Sequence, residues 1–155
     1  MPKTKYISKR AIEHASRGTF IYPKEYRPKQ KLTMKSGGHG QENIDFLTRR
    51  KIPYRIDTVY SNGVRLGRVS NHVKKGRTKK KGQIWFPAAW DREDIKRAGQ
   101  HVASLRRNSK LIDDHRHTGR YRGVSVGIVA RKGFIKTVFP LFDVNKHARK
   151  KTHII

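Results

Sequence analysis

A net charge of +27 on 155 residues, from 38 Lys and Arg against 11 Asp and Glu, is the feature that most restricts this chain. Like charges at that density oppose a compact state. Folding therefore requires the apolar residues to be gathered into a few patterned segments. They are: Trp85, Trp90, six Tyr and six Phe cluster in such stretches, as they do not in a disordered chain. The length accommodates one domain whose core needs no covalent staple, with tails. The surplus of cations calls for a polyanion or an acidic partner. Nucleic acid is the first candidate and an anionic membrane surface the second. Without cysteine there is no disulfide, thiol catalysis or cysteine-ligated zinc. No apolar run approaches the ~20 residues of a membrane helix; Ile84 to Trp90 is short and contains Pro87. The opening MPKTKYISKR has no apolar h-region, so no signal peptide is expected.

The pattern predicts an alternation of helices and hairpins. AIEHASRGTF (11–20) reads as a short helix closed at Gly18, followed by loop over 21–40 with Pro23, Pro28, Gly37, Gly38 and Gly40. QENIDFLTRR reads as a helix with Ile44 and Leu47 on one face. YRIDTVY and VRLGRV flank Ser61-Asn62-Gly63, a strong hairpin signal. KKGRTKKK (74–81) has no apolar content and reads as a solvated loop. Asp91 to Arg107 is the clearest helix. Ile95, Ala98, Val102 and Leu105 form its stripe, Asp91 is its N-cap with Asp94 completing a capping box, and Trp90 is placed to staple onto Ile95. After a polar loop over 108–120, VSVGIVA and FIKTVFP around Arg131-Lys132-Gly133 predict a second hairpin. The expected class is α+β, with a basic extension (1–10), one domain (11–140) and a basic tail (141–155). Trp85, Phe86 and Trp90 are expected in the core.

Eight histidines invite three readings. Asp113, Asp114, His115 and His117 are close in sequence, but the His pair lacks the i, i+4 spacing of helical zinc sites, so no metal is expected. His72, His101, His147 and His153 read as surface residues. The third reading is a paired-imidazole ribonuclease. RNA carries its own nucleophile, the 2′-OH, and needs only a base for that proton and an acid for the departing 5′-oxygen. Two imidazoles titrating near neutrality supply both without a metal or other cofactor. His14 precedes a glycine on a short helix. His39 stands in Gly37-Gly38-His39-Gly40, where glycine lets a phosphate approach the backbone.

Four blocks in order, SGGHGQENIDFL (36–47), YSNGVRLGRVSNH (60–72), QIWFPAAWDREDIKRAG (83–99) and GVSVGIVARKGFIKTVFP (123–140), resemble the bacterial EndoU nuclease domain found at the C-termini of polymorphic toxins. The resemblance runs from about Ala11 to Pro140. It implies N-terminal helices and two antiparallel sheets flanking a cleft. It implies that His14, in Ile-Glu-His-Ala-Ser-Arg-Gly, and His39 are catalytic, with Thr137 beside them. On a strand Thr137 and Phe139 face one way, so Thr137 can bond a base or phosphate while Phe139 stacks. Relatives often carry Tyr where Phe139 stands, and a catalytic Lys before the last hairpin. Arg120, Arg122, Lys110 and Lys136 are the candidates for that cation. Gly38, Phe139, Arg122 and Lys136 are expected to bind substrate.

The implied activity is metal-independent cleavage of RNA near uridine, leaving 2′,3′-cyclic phosphate and 5′-hydroxyl ends. The implied setting is a toxin secreted as part of a larger effector. It acts in the target-cell cytoplasm, away from any membrane, and is held by an acidic immunity protein. The competing expectation from composition alone is a non-catalytic, ribosomal-type RNA-binding protein.

Overall fold

The computed structural model describes residues 6–26, 31–73 and 82–142 and the backbone of 150–153. The basic run 74–81 lies outside the described residues, as do His147 and most of both tails. Helix α1 (Lys9–Ser16) begins two residues before the expected segment, because Ser8 is its N-cap: Ser8 Oγ accepts from Ala11 N at 3.0 Å. It closes at Gly18, as expected. Gly18 takes φ +98 and turns the chain into β1 (Thr19–Ile21). The stretch expected to be loop holds β2 (Thr33–Ser36), which pairs antiparallel with β1, a strand that begins before that loop at Thr19. Helix α2 (Gln41–Arg49) buries Ile44 and Leu47, the pair its periodicity nominated.

Strands β3 (Tyr54–Tyr60) and β4 (Arg65–Val69) form the predicted hairpin, with Gly63 at φ +91 and Asn62 Oδ1 accepting from Val64 N at 3.1 Å. They extend into a four-stranded antiparallel sheet with β5 (Gln83–Trp85) and β9 (Lys150–His153), in the order β5-β4-β3-β9. Part of the segment expected to be a tail is therefore a strand on β3. Helix α3 (Arg92–Ser104) starts at the predicted capping box, Asp91 and Asp94 each accepting from the other's backbone at 3.0 Å. After a 3₁₀ turn at Arg106–Asn108 come β6 (Arg116–Tyr121), β7 (Val124–Arg131) and β8 (Phe134–Pro140), a three-stranded meander. The result is α+β, with three small antiparallel sheets among the described residues where two were expected.

Strand β6 escaped sequence reading for a physical reason. RHTGRY shows no apolar alternation because its inward position is Gly119, where a Cβ would fall 2.6 Å from Leu105 Cδ1. The missing side chain lets α3 lie against the sheet. Gly99 does the same on the helix: its Cβ would come 2.6 Å from Val138 Cγ2. Val124, Val126 and Ile128 of β7 fill that interface with Ile95, Ala98 and Val102. Each of these Val and Ile side chains, fully buried, contributes about 1.5–3 kcal/mol against the charge repulsion.

A second core lies under β2 and α2, where Met34, Leu47, Val69 and Trp85 meet. Trp85 and its neighbour Phe86 point into different cores, and Trp90 stacks on Phe86 at 5.0 Å between ring centroids. All three aromatics are core residues, as expected. His72, expected on the surface, is buried; it bridges to Met34 of β2.

Polar ties hold the helices in register. Arg65, buried on β4, donates to Gln41 Oε1 at 2.5 Å and to the Phe86 carbonyl at 2.7 Å. Burial pushes its guanidinium down to about 10, opposed by Asp45 and Tyr54, so it stays charged at neutral pH. Glu42 joins three helices: it accepts from Ser16 Oγ at 2.9 Å and from Arg92 Nε and Nη2 at 2.6 and 2.5 Å. Burial raises its carboxyl, but the hydrogen bonds from Arg92 and Ser16 and the charge of Arg92 outweigh this and hold it below the ordinary 4.5. Its stabilisation is thus complete above that value and is lost as pH falls through the lower folded value. Glu42→Gln is expected to cost about 1 kcal/mol in urea unfolding at pH 7, discounted for partial exposure. The gap to the parent chain should close as the melts are taken down to the pH where the Glu42 carboxyl protonates.

Candidate active site

The last carbonyls of a helix have no partner within it. In α1 the segment Gly38–Gly40 supplies them. Gly38 N donates to the His14 carbonyl at 2.9 Å, His39 N to Ala15 at 2.6 Å and Gly40 N to Ser16 at 3.0 Å. Only glycine permits so close an approach. Gly37 and Gly38 have φ +72 and +71, and a Cβ on Gly37 would collide with the His14 carbonyl and come 3.0 Å from Cε1 and Nε2 of its imidazole. The glycine block thus rests on His14 itself. The three amides are committed to α1, so the glycines serve the meeting of two backbones and do not offer Gly38 N–H to a phosphate.

Strand β5 closes the other side of this segment. Gln83 Nε2 donates to the carbonyls of Gly37 and Gly38 at 3.1 and 2.9 Å, and Phe86 N donates to the His39 carbonyl at 2.7 Å. Asn43, fully buried, ties the same corner: its amide donates to the Arg17 carbonyl at 2.8 Å and accepts from Trp85 Nε1 at 3.0 Å. The His39 ring is held by Nδ1, 2.8 Å from the Ile84 carbonyl. A carbonyl only accepts, so Nδ1 carries the proton and the neutral ring has its lone pair on Nε2. The His14 ring is held differently, Nδ1 lying 2.7 Å from Thr19 Oγ1, a hydroxyl able to donate or accept. Thr19 was not singled out from sequence. Five residues beyond His14, it returns to that ring only because the chain reverses at Gly18.

Strand β8 forms the facing wall. Opposite the Val129/Ala130 step its register shifts by one residue. Ile135 and Val138 are both buried three positions apart, and Lys136 and Thr137 between them both look outward. A bulge explains that departure from strict alternation. Thr137 and Phe139 pair across the sheet with Val129 and Gly127, on one face, as expected. The Phe139 ring lies over Gly127, where a Cβ would fall 2.5 Å from it, and its centroid is 6.2 Å from that of His39. At the other end of this stretch Lys136 shares a groove of about 530 Å³ with His14 and Thr19, lined also by Arg10, Arg131, Lys132 and Phe134. Lys136 neighbours His14 and Phe139 neighbours His39, with Thr137 between. Three residues of strand span roughly 10 Å, so the two histidines face neighbouring stretches of one strand.

A family model described as bacterial EndoU nuclease matches residues 8–142. The chain belongs to the bacterial EndoU nuclease family. Comparison with curated proteins and with solved structures gave no match.

The EndoU domain does not bring every candidate to this cleft. Arg122 sits in the β6–β7 turn at φ +49, its guanidinium 2.9 Å from Asp94 and over the Tyr121 ring, on the α3 side of the sheet. Arg120 pairs with Ser125 and shares the Phe139 face, two strands away. Lys110 is exposed in the loop after α3. Of the four candidate cations, Lys136 lines the His14 groove. Asp113, Asp114 and His117 serve the loop before β6. Asp113 accepts from Lys132 N at 2.7 Å, Asp114 from Arg131 at 2.9 Å, and His117 Nε2 from Ile112 N at 3.0 Å. His101 packs its ring 5.4 Å from Tyr121.

Because Gly37 rests on the His14 ring, Gly37→Ala tests the construction of the site. It forces a β-carbon into backbone at a positive φ. The expected cost is about 1–3 kcal/mol in thermal or urea unfolding. Any displacement of the two imidazoles should show as chemical-shift changes at His14 and His39 in ring-labelled protein.

Proposed function

We propose that this EndoU domain is an endoribonuclease that cuts RNA by transesterification, with His39 as general base and His14 as general acid. The observation that carries this reading is the hydrogen bonding of Gly38, His39 and Gly40 onto the end of α1, which joins the two histidine-bearing segments directly. In the proposed reaction His39 Nε2 takes the 2′-OH proton. The 2′-oxygen attacks phosphorus, the bond to the 5′-oxygen breaks, and His14 protonates that leaving oxygen. A 2′,3′-cyclic phosphate and a 5′-hydroxyl result. The fixed tautomer of His39 suits a base. The hydroxyl partner of His14 suits a ring that must pass through both protonation states.

Thr137 Oγ1 and Lys136 Nζ are the groups at hand for the non-bridging phosphate oxygens, and Phe139 for packing against the base, which we take to be uridine. The geometry favours Lys136 over Arg122 as the cation of the site. No step needs a metal. The +27 charge supports RNA as substrate and makes binding strongly salt-dependent. It equally suits an acidic immunity protein, steered to the same cleft. We place the domain as the toxic part of a secreted effector that acts in the cytoplasm of a target cell.

The test is cleavage of labelled mixed-sequence RNA in excess EDTA, with fragment ends mapped. The parent chain should cut beside uridine and leave cyclic-phosphate ends. His14→Ala and His39→Ala should each slow cleavage by about 10²- to 10⁴-fold while retaining RNA binding in a gel shift. Tight salt-sensitive binding with no cuts by the parent chain would instead establish the non-catalytic RNA-binding reading.

A further inference from the structure

Among the large hydrophobic side chains, Tyr6 and Phe134 are conspicuously uncovered, at 62 % and 55 % exposure. They form an edge-to-face pair with centroids 5.8 Å apart and planes at 83°. The pair is built, not incidental. Ile7 is buried and bridges to Ile135, and Ile135 N donates to the Tyr6 carbonyl at 3.1 Å, so Tyr6 is fixed along the edge of β8. Phe134 follows a tight turn in which Lys132 and Gly133 have φ +52 and +80, the type I′ geometry that sets strand register. In an edge-to-face pair one ring presents its edge to the other, so a ring face stays open for stacking.

The surroundings point to a nucleic-acid strand. Phe134 lines the same groove as His14, with Arg10 and Lys132. Among the described residues no carboxylate pairs with either of those two cations, whereas Arg131 and Lys136 share Asp114 at 2.9 and 3.9 Å. An open aromatic face beside cations is how proteins hold single-stranded RNA, base on ring and phosphate on cation. Phe134 stands two strand residues beyond Lys136, roughly 7 Å, on the side away from Phe139 and His39. If His14 protonates the leaving 5′-oxygen, the nucleotides attached to that oxygen run out in this direction.

We infer that Tyr6 and Phe134 form a stacking subsite for a base on the leaving-group side of the cut, with Arg10 and Lys132 contacting its phosphate. The inference rests on the nuclease reading and on His14 as acid. The experiment compares kcat/KM for three substrates: the dinucleotide UpA, UpApApA extended on the leaving side, and ApApUpA extended on the other. A fourth, UpApApA with abasic residues after the first A, keeps the phosphates and removes the bases.

The parent chain should prefer UpApApA over its abasic form by about tenfold or more. Phe134→Ala and Tyr6→Ala should bring that ratio close to one, and Phe134→Trp should restore it. A general loss of activity would move both rates and leave the ratio unchanged, which would overturn the subsite. So would a base-dependent gain confined to ApApUpA. If the parent chain cuts no substrate, the nuclease reading itself falls and takes this inference with it. If it cuts all four at rates that Phe134→Ala does not discriminate, only the subsite falls.

Discussion

The hydrogen bonds that run from Gly38, His39 and Gly40 to the end of α1 are the interaction on which the rest of the site depends. They solve two problems at once. A helix of eight residues is too short to be stable alone, and its final carbonyls need donors. A glycine-rich segment carrying positive φ has no sheet to join, and its amides need acceptors. Each satisfies the other, and the join fixes His14 relative to His39. What surrounds the join reinforces it. Gln83 covers two glycine carbonyls, Asn43 bridges Trp85 to the Arg17 carbonyl, and Glu42 links Ser16 to Arg92. These are buried or half-buried polar groups whose partners are all internal, so losing one strands the others.

The elements that could be read from sequence are those with a local physical signature. The capping box of α3, the Asn-Gly hairpin and the β7–β8 pair each carry their turn chemistry and their periodicity within a dozen residues. Elements stabilised from a distance could not. β6 replaces an inward side chain with Gly119 because α3 needs the space, and β9 is defined by a partner about ninety residues away on β3. The bulge at Lys136 leaves no mark in FIKTVFP, yet it alone turns Lys136 and Thr137 outward together.

The site divides along the same line. His14 and His39 stood out among eight histidines because glycine punctuates the chain around them and both fall in segments that resemble the family. Thr19, Gln83 and the Ile84 carbonyl did not, because a hydroxyl, an amide and a backbone oxygen acquire their roles only through the tertiary path. The glycine block was legible as special but not in its purpose. Sequence suggested close approach to a phosphate, whereas the partner that approaches is the α1 backbone.

Charge is distributed with the same economy around α1. His14 and Ser16 are two residues apart, about 200° around a helix, and so lie on nearly opposite faces. The His14 face looks into the groove of Arg10, Arg131, Lys132 and Lys136. The Ser16 face looks into a second hollow lined by Glu42, Asp45, Asp91 and Glu93 together with Arg49 and Arg92. Four of the 11 acidic residues of a strongly basic chain are thus gathered on the far side of one short helix. There they also suit the positive N-terminal ends of α2 and α3. A uniform excess of +27 would attract a polyanion to any face. Arg92, paired with Glu42, and Arg49 partly offset the acids behind α1, whereas the groove beside His14 holds four cations with Asp114 on two of them. The helix that carries His14 therefore stands between a groove rich in cations and a hollow of mixed charge.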